Sequence, residues 1–160
     1  MSEPVGERIP PCDKLLFRQI HPQKFTGGSP GKLNFVPEPG KSNFIPEDKV
    51  NLSTRREEIG AKGAHEAHVE LGLESAGTWG FTVREAAEAH SAGLSSYNDE
   101  GLGDPPAPPF HVSVRFPQDI SRKALERIAR QLHAAAKNRG NNGWLYRPDD
   151  VTGVTVYVSS

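Results

Sequence analysis

The sequence predicts a single α+β domain with a mixed or antiparallel sheet and about three helices, of which the C-terminal one is basic and amphipathic. The clearest helix covers 121–139, where apolar residues recur at steps of three and four. Two segments, 110–116 and 151–159, alternate valines with other residues, which is the pattern of a strand. A chain of 160 residues, 35% of them hydrophobic, is long enough for one domain with its own core.

The N-terminal part predicts one strand between two irregular segments. Residues 1–13 are polar and contain three prolines, so we expect a flexible lead-in ahead of the single domain at 14–160. The segment 14–21, KLLFRQIH, is rich in apolar residues and stops at Pro22, as a strand does. The segment 25–49 contains four prolines and four glycines, which indicates a long loop and a candidate contact surface.

A short strand and a first helix are predicted next. Residues 50–53 form the strand, and Thr54 and Glu57 have the spacing of a capping box, in which a hydroxyl and a carboxylate satisfy the free amides at a helix start. The helix is predicted to cover about 55–71 and to end at Gly72.

The same signals repeat further along the chain. The segment 77–83, GTWGFTV, reads as a buried strand. Thr82 and Glu85 repeat the capping-box spacing, which predicts a second, short helix over about 83–92. The segment 94–109 contains DPPAPP and reads as a long connector.

The C-terminal part predicts a strand, a helix and a strand in succession. Residues 110–116 form the first strand, with one wet face, followed by the helix at 121–139 and by a turn or strand at 143–146. The alternating segment 151–159 is predicted as a terminal strand. This order indicates a βαβ-like or split β-α-β arrangement on one sheet.

The helix at 121–139 carries a row of positive charge. Lys123, Arg127, Arg130 and Lys137 are spaced by four, three and seven residues, so they lie on one side of a helix. The row is either a solvated face or a binding strip for an acidic protein or a nucleic acid. The net charge of −1 and the pI near 6.6 argue against a nucleic-acid binder that relies on bulk charge.

Composition also indicates the compartment. Cys12 is the only cysteine, so no internal disulfide is possible and a reducing environment is expected. We find no apolar run long enough to span a bilayer and no signal-peptide pattern. We therefore expect a cytoplasmic protein that does not use a membrane.

Candidate catalytic residues come from three separate segments. Arg18 and His21 lie near the end of the first strand, where an arginine among apolar residues indicates either a carboxylate partner or anion capture. The order of Arg18, Ser53 and Glu85 is similar to the arginine, serine and glutamate of ADP-ribosyl-transferring and NAD-cleaving domains. That resemblance implies an enzyme acting on NAD or a nucleotide-like ligand.

Two further pairs are weaker candidates. His65 and His68 are three residues apart on the predicted helix and so could share a metal ion, but no spacing in the sequence supplies further ligands. We therefore expect no metal and no other cofactor. Trp144 and Tyr146 either pack in the fold or present aromatic surface to a partner.

The segments LFRQIHP and LGLESAGTWGFTV, taken in order, resemble a family of small bacterial proteins with an LFRQ(I/V)HP-type motif near the N-terminus. The resemblance covers about 15–116, implies a bacterial cytosolic protein and assigns no catalytic residues. The sequence thus favours a non-catalytic module that binds a protein partner through the loop 25–49 and the basic helix. The alternatives are an NAD- or nucleotide-directed enzyme and a nucleic-acid binder.

Overall fold

Six antiparallel strands form the main sheet of this protein. The computed structural model describes residues 6–21, 25–26, 38–39, 41–46, 51–89, 93–103 and 105–148. The strands in these residues are β1 (Glu7–Ile9), β2 (Leu15–Gln19), β3 (Phe25–Thr26), β4 (Glu38–Pro39), β5 (Asn51–Arg56), β6 (Thr78–Thr82), β7 (Ser95–Asn98) and β8 (His111–Arg115). The main sheet has the order β1-β7-β8-β5-β2-β6, and β3 pairs separately with β4.

Three α-helices pack on this sheet: α1 (Ala61–Glu70), α2 (Val83–Glu88) and α3 (Arg122–Lys137). Single turns of 3-10 helix occur at Lys41–Phe44 and at Glu57–Ile59. The molecule is therefore a single α+β domain with an antiparallel sheet and a C-terminal helix, as the sequence predicts.

The centre of the sheet has one apolar face and one polar face. On the apolar face, Leu52 pairs with Val114 and Thr54 with Val112 across β5 and β8. On the polar face, the pairs between the same two strands are Ser53 with Ser113 and Arg55 with His111. Successive side chains of a strand point to opposite faces, so a single register fixes both surfaces.

Helix α3 covers the apolar face of the sheet. Its buried residues are Leu125, Ile128, Ala129, Leu132 and Ala136. They belong to one core cluster with buried strand residues that include Leu16, Trp79, Phe81 and Val114. Ser121 caps the helix by accepting a hydrogen bond from the Ala124 amide at 3.1 Å. Gly140 follows the helix with φ of 60°, a left-handed conformation that glycine adopts without steric cost.

The predicted capping box of Thr54 and Glu57 does not form. Thr54 is buried in β5, where its hydroxyl donates to the Val112 carbonyl at 2.9 Å. Glu57 instead accepts a hydrogen bond from the Leu15 amide at 2.6 Å. Strand pairing therefore continues to Arg56, past the predicted 50–53, and the helix starts only at Ala61.

The N-terminal segment and the second connector also differ from the prediction. Within the predicted lead-in 1–13, Glu7–Ile9 forms β1 and pairs with β7, which itself lies inside the predicted connector 94–109. Neither strand has an alternating pattern. They pair with each other across a long stretch of sequence, and β7 also pairs with β8, which follows it in the chain. Local composition indicates neither pairing.

The second capping box does form. Thr82 accepts a hydrogen bond from the Glu85 amide at 3.0 Å, and Glu85 accepts one from the Thr82 amide at 2.8 Å. The Glu85 carboxylate also receives two hydrogen bonds from Arg139, at 2.6 and 2.9 Å. Glu85 therefore joins the start of α2 to the residues that follow α3.

The segment after α3 packs back on the core. Trp144 makes an edge contact with Trp79, with 5.8 Å between ring centroids. Gly143 permits this approach, because a Cβ atom there would lie 2.5 Å from the Trp79 ring. The predicted terminal strand 151–159 lies outside the described residues, so the βαβ-like arrangement stays a prediction. None of the helices in the described part combines the length and apolar character needed to cross a bilayer.

We expect Leu132→Ala to lower the free energy of unfolding by about 2–5 kcal/mol, because it leaves a cavity between α3 and the sheet. Arg127→Ala, on the exposed side of the same helix, should change it by no more than about 0.5 kcal/mol. Urea denaturation measures both variants. Similar losses in the two would contradict this orientation of α3.

Candidate functional site

A cleft of about 550 Å³ lies on the polar face of the sheet. Its floor comes from side chains of the three adjacent strands β2, β5 and β8: Phe17, Gln19, Ser53, Arg55 and His111. One wall comes from the end of α1 and the loop after it: His68, Leu71, Leu73 and Glu74. Arg18, His21, Pro46, Asn51 and Pro108 complete the lining.

The cleft exists because α1 covers only one side of the polar face. The Thr78 hydroxyl donates to the Ala61 carbonyl at 2.8 Å and accepts from the Gln19 side chain at 2.9 Å. Ser75 donates to Gln19 at 2.6 Å and lies 3.2 Å from His65 Nδ1. These contacts hold α1 over β2 and β6. Strands β5 and β8 are not covered by α1, so their polar face stays open beside the helix.

Arg55 is the most deeply buried charged group of the cleft. Only 7% of the residue is exposed, and its Nη1 donates to the Pro109 carbonyl at 3.0 Å. Within the described residues it has no carboxylate partner. Burial, which disfavours the charged form, lowers the pKa of Arg55 from its ordinary value. An arginine nevertheless stays protonated in proteins, so the cleft contains a buried positive charge.

Arg18 adds a second guanidinium to the cleft. Its Nε donates to the Asn43 carbonyl at 2.8 Å, and its Nη1 donates to the Ser53 carbonyl at 3.0 Å. These bonds connect β2 with the 3-10 turn at Lys41–Phe44 and with β5. Arg18 therefore has a structural role in addition to its place in the cleft lining.

His68 is a neutral imidazole in this cleft. Burial is the main cause, and the positive charges of Arg18 and Arg55 add to it, so the pKa of His68 falls from 6.5 to about 4. A hydrogen bond involving the Glu74 backbone acts in the opposite direction and is outweighed. At neutral pH His68 can therefore donate one hydrogen bond and accept another.

His111 is held by a carboxylate behind the cleft floor. Its Nδ1 lies 2.5 Å from Oδ1 of Asp99, and the Ser113 hydroxyl donates to Oδ2 of the same carboxylate at 2.6 Å. Burial opposes ionisation of Asp99, but these hydrogen bonds outweigh it, so the pKa of Asp99 lies below its usual value. The Asp99 side chain therefore stays an acceptor.

Three of the four predicted catalytic residues meet in the cleft. Arg18 and Ser53 line it, and His21 lies at its rim with Nε2 3.8 Å from a Glu74 oxygen. Glu85 does not join them, because its carboxylate is bound by Arg139 and by the Thr82 amide. The predicted grouping of arginine, serine and glutamate therefore does not assemble around Glu85.

The predicted histidine pair is divided between two environments. His65 is buried, with its ring 5.3 Å from that of Tyr146, whereas His68 lines the cleft. The described residues contain no group of three or more side chains arranged to hold a metal ion. Tyr146 thus packs on α1, and Trp144 packs on Trp79 and lies 4.6 Å from the Arg147 guanidinium.

The basic row of α3 lies on the other side of the sheet from the cleft. Lys123, Arg127, Arg130 and Lys137 are all exposed and fall within an arc of roughly 80° at 100° per residue. Arg130 is 3.7 Å from Glu126, and the other three make no ion pair within the described residues. The cleft and the row are therefore separate surfaces.

The candidates predicted from the sequence do not include the cleft residues Arg55 and His111, nor Asp99, which contacts His111 from outside the cleft lining. The alternation of 110–116 places His111 on the solvent-facing side of a strand, so this residue could have been identified from the sequence. Arg55 was assigned to a helix by the capping-box spacing at Thr54. Asp99 lies in a segment read as a connector and has no sequence signal.

Comparisons with known proteins assign no function to this cleft. No protein-family model, no curated protein and no solved structure matches the chain. The geometry of the cleft is therefore the basis for the proposals below.

We expect protein stability to fall as the pH drops from about 6.5 to 4, in part because of His68. In this range the unfolded chain takes up a proton on His68 that the folded protein excludes. His68→Gln, which cannot titrate, should lose less stability over the same range and match the parent more closely at pH 7.5. Urea denaturation at several pH values tests this, and parallel pH profiles would contradict the assignment.

Proposed function

We propose that the cleft binds an anionic small molecule of nucleotide size, with Arg55 as its principal anion contact. The supporting observation is that Arg55 is buried in the floor of the cleft without a carboxylate partner in the described residues. A buried charge is costly unless it is paired, and a buried Arg in a cleft is therefore a candidate ligand contact. The planar guanidinium suits a phosphate or carboxylate group.

The rest of the lining favours a nucleotide over a simple inorganic anion. A volume of about 550 Å³ is within the usual range for small-molecule sites. Ser53 and neutral His68 offer hydrogen-bonding groups suited to a sugar. Leu71 and Leu73, which are 58% and 50% exposed, provide an apolar rim suited to a flat base.

NAD is one ligand that this proposal includes. A dinucleotide offers phosphates to Arg55 and Arg18 and bases to the apolar rim. The proposal does not include ADP-ribosyl transfer by Arg18, Ser53 and Glu85, since the Glu85 carboxylate is bound by Arg139 away from the cleft. Whatever chemistry occurs in the cleft must therefore proceed without Glu85.

Arg55→Met should abolish ligand-induced stabilisation without harming the free protein. Replacing a buried charge with an apolar side chain of similar volume is often neutral or stabilising, so the Tm without ligand should stay or rise. In the parent, ligand at about 100 times Kd should add about 2.7 kcal/mol, or roughly 5–10 °C in Tm. Thermal unfolding with AMP, ADP, ADP-ribose and NAD measures both effects.

Arg122→Met is the matched control, because Arg122 is exposed on α3 and pairs with Glu126. It should keep the ligand response of the parent. Arg55→Lys should give a weaker response, because it retains the charge but not the forked geometry. The proposal is wrong if no probe stabilises the parent, or if Arg55→Met binds as well as the parent.

A second candidate function is binding of a protein partner through α3 and the loop 25–49. The supporting observation is the exposed basic row, in which Lys123, Arg127 and Lys137 make no ion pair within the described residues. An acidic partner surface would complement this row. Most of the loop 25–49 lies outside the described residues, so α3 is the part that can be tested from the structure.

Arg127→Glu combined with Arg130→Glu should reduce capture of the partner several-fold, because it reverses the charge at the centre of the row. Affinity purification from a cytosolic lysate, with and without nuclease, measures capture. Lys62→Glu combined with Arg84→Glu makes the same change in net charge on α1 and α2 and should capture normally. Loss of capture after nuclease treatment would instead indicate nucleic acid.

A further inference from the structure

The paired side chains of Asp99 and His111 have a geometry that anion binding by Arg55 does not require. Both side chains are largely buried, with 19% and 14% exposed, and His111 lines the cleft while Asp99 lies behind it. Asp99 holds Nδ1 of His111 through one oxygen and receives the Ser113 hydroxyl on the other. Orientation of an imidazole by a carboxylate is typical of histidines that transfer protons.

The tautomer of His111 follows from these hydrogen bonds. An ionised carboxylate accepts hydrogen bonds and donates none, so the proton of neutral His111 must be on Nδ1. The lone pair is then on Nε2. Burial acts to raise the pKa of Asp99, but the hydrogen bonds with His111 and Ser113 outweigh it and lower the pKa. Asp99 therefore stays ionised and continues to accept a hydrogen bond from Nδ1.

The position of Arg55 brings an anion next to this imidazole. Arg55 and His111 are register partners across β5 and β8, and such pairs have Cβ atoms about 5 Å apart. The charged groups packed around His111 are Asp99, which follows β7, and Arg55 from β5, with neutral His68 on the α1 side of the same cleft. A phosphate bound by Arg55 therefore lies beside a potential proton acceptor.

We infer that His111 is a general base, positioned by Asp99, for hydrolysis of a phosphate ester or phosphoanhydride bond in the bound nucleotide. This inference rests on the proposed function of the cleft. Nε2 of His111 takes a proton from water as the water oxygen bonds to phosphorus. The bond from phosphorus to the leaving oxygen then breaks on the opposite side of phosphorus, and that oxygen takes the electron pair and a proton from solvent, while the imidazolium returns its proton to solvent. Arg55 stabilises the negative charge that develops on the phosphoryl oxygens.

A purely structural role for the pair makes different predictions from a catalytic one. If Asp99 only anchors β7 to β8, its loss should alter stability and have no selective effect on turnover. The test therefore needs kinetic readouts that a loss of stability cannot imitate, and variants that keep the shape of the cleft.

Hydrolysis of ADP, ATP, 2′,3′-cyclic AMP and bis(p-nitrophenyl) phosphate by the purified protein is the experiment. His111→Gln should lower kcat by roughly 10²–10⁴-fold, the usual contribution of a general base. Asp99→Asn should lower kcat with little change in KM. His111→Ala should regain turnover when free imidazole is added, which a structural role does not explain. Arg122→Met should match the parent.

The outcomes separate this inference from the proposed function. If the parent hydrolyses none of these compounds but they still stabilise it in an Arg55-dependent manner, the base role is wrong and the binding cleft stands. If they neither bind nor react, both proposals are wrong. Turnover that survives in folded His111→Gln, as judged by circular dichroism, also overturns the base role.

Discussion

The pairing of β5 with β2 and β8 is the constraint on which both the core and the cleft depend. Leu52 and Thr54 face the core beneath α3, and Ser53 and Arg55 face the cleft, because successive side chains of a strand alternate. A shift of one residue in the pairing register of β5 would place the Arg55 charge in the core and Leu52 in the cleft. The hydrophobic pattern that stabilises the core therefore also fixes the position of the polar side chains that line the cleft. The short segment NLSTRR therefore contributes side chains both to the core and to the cleft.

The burial of Arg55 indicates that the cleft lowers the stability of the fold. A buried guanidinium has lost much of its hydration, and a single bond to the Pro109 carbonyl does not replace that loss. An apolar side chain would pack on the neighbouring Phe17 at lower cost. The presence of the charge is then understandable if a bound anion offsets the cost, as sites for charged ligands are often less stable than the fold would allow. The neutral state of His68 has a related origin, because burial is the main cause of its low pKa and the positive charges of Arg18 and Arg55 add to it.

Local signals in the sequence predicted the helices well and the sheet edges poorly. The Thr82 and Glu85 capping box and the Ser121 cap are formed by residues close in sequence, and both are present. The same spacing at Thr54 does not produce a capping box, because β5 pairs with a strand on each side and this pairing outweighs a single helix cap. The sequence does not indicate β1 and β7, because neither has an apolar alternation and β1 pairs with a strand far away in sequence. The sequence also does not show that Arg139 binds the Glu85 carboxylate, which lies outside the cleft lining.

The site was predictable to the extent that its residues lie on patterned strands. The alternation of 110–116 places His111 and Ser113 on the polar face, whereas Asp99 belongs to a segment that reads as a loop. Antiparallel geometry supplies the missing step: since Asn98 pairs with Val112, the next residue of one strand lies opposite the preceding residue of the other. The Asp99 amide accordingly donates to the His111 carbonyl at 3.3 Å, and their side chains meet on one face. Once β7 is recognised as a strand, the carboxylate and the imidazole follow as neighbours, and Arg55 follows as the next residue across the sheet. The charged cleft is thus a consequence of strand register, and predicting it from the sequence requires that β7 is recognised as a strand and that β5 is extended to Arg56.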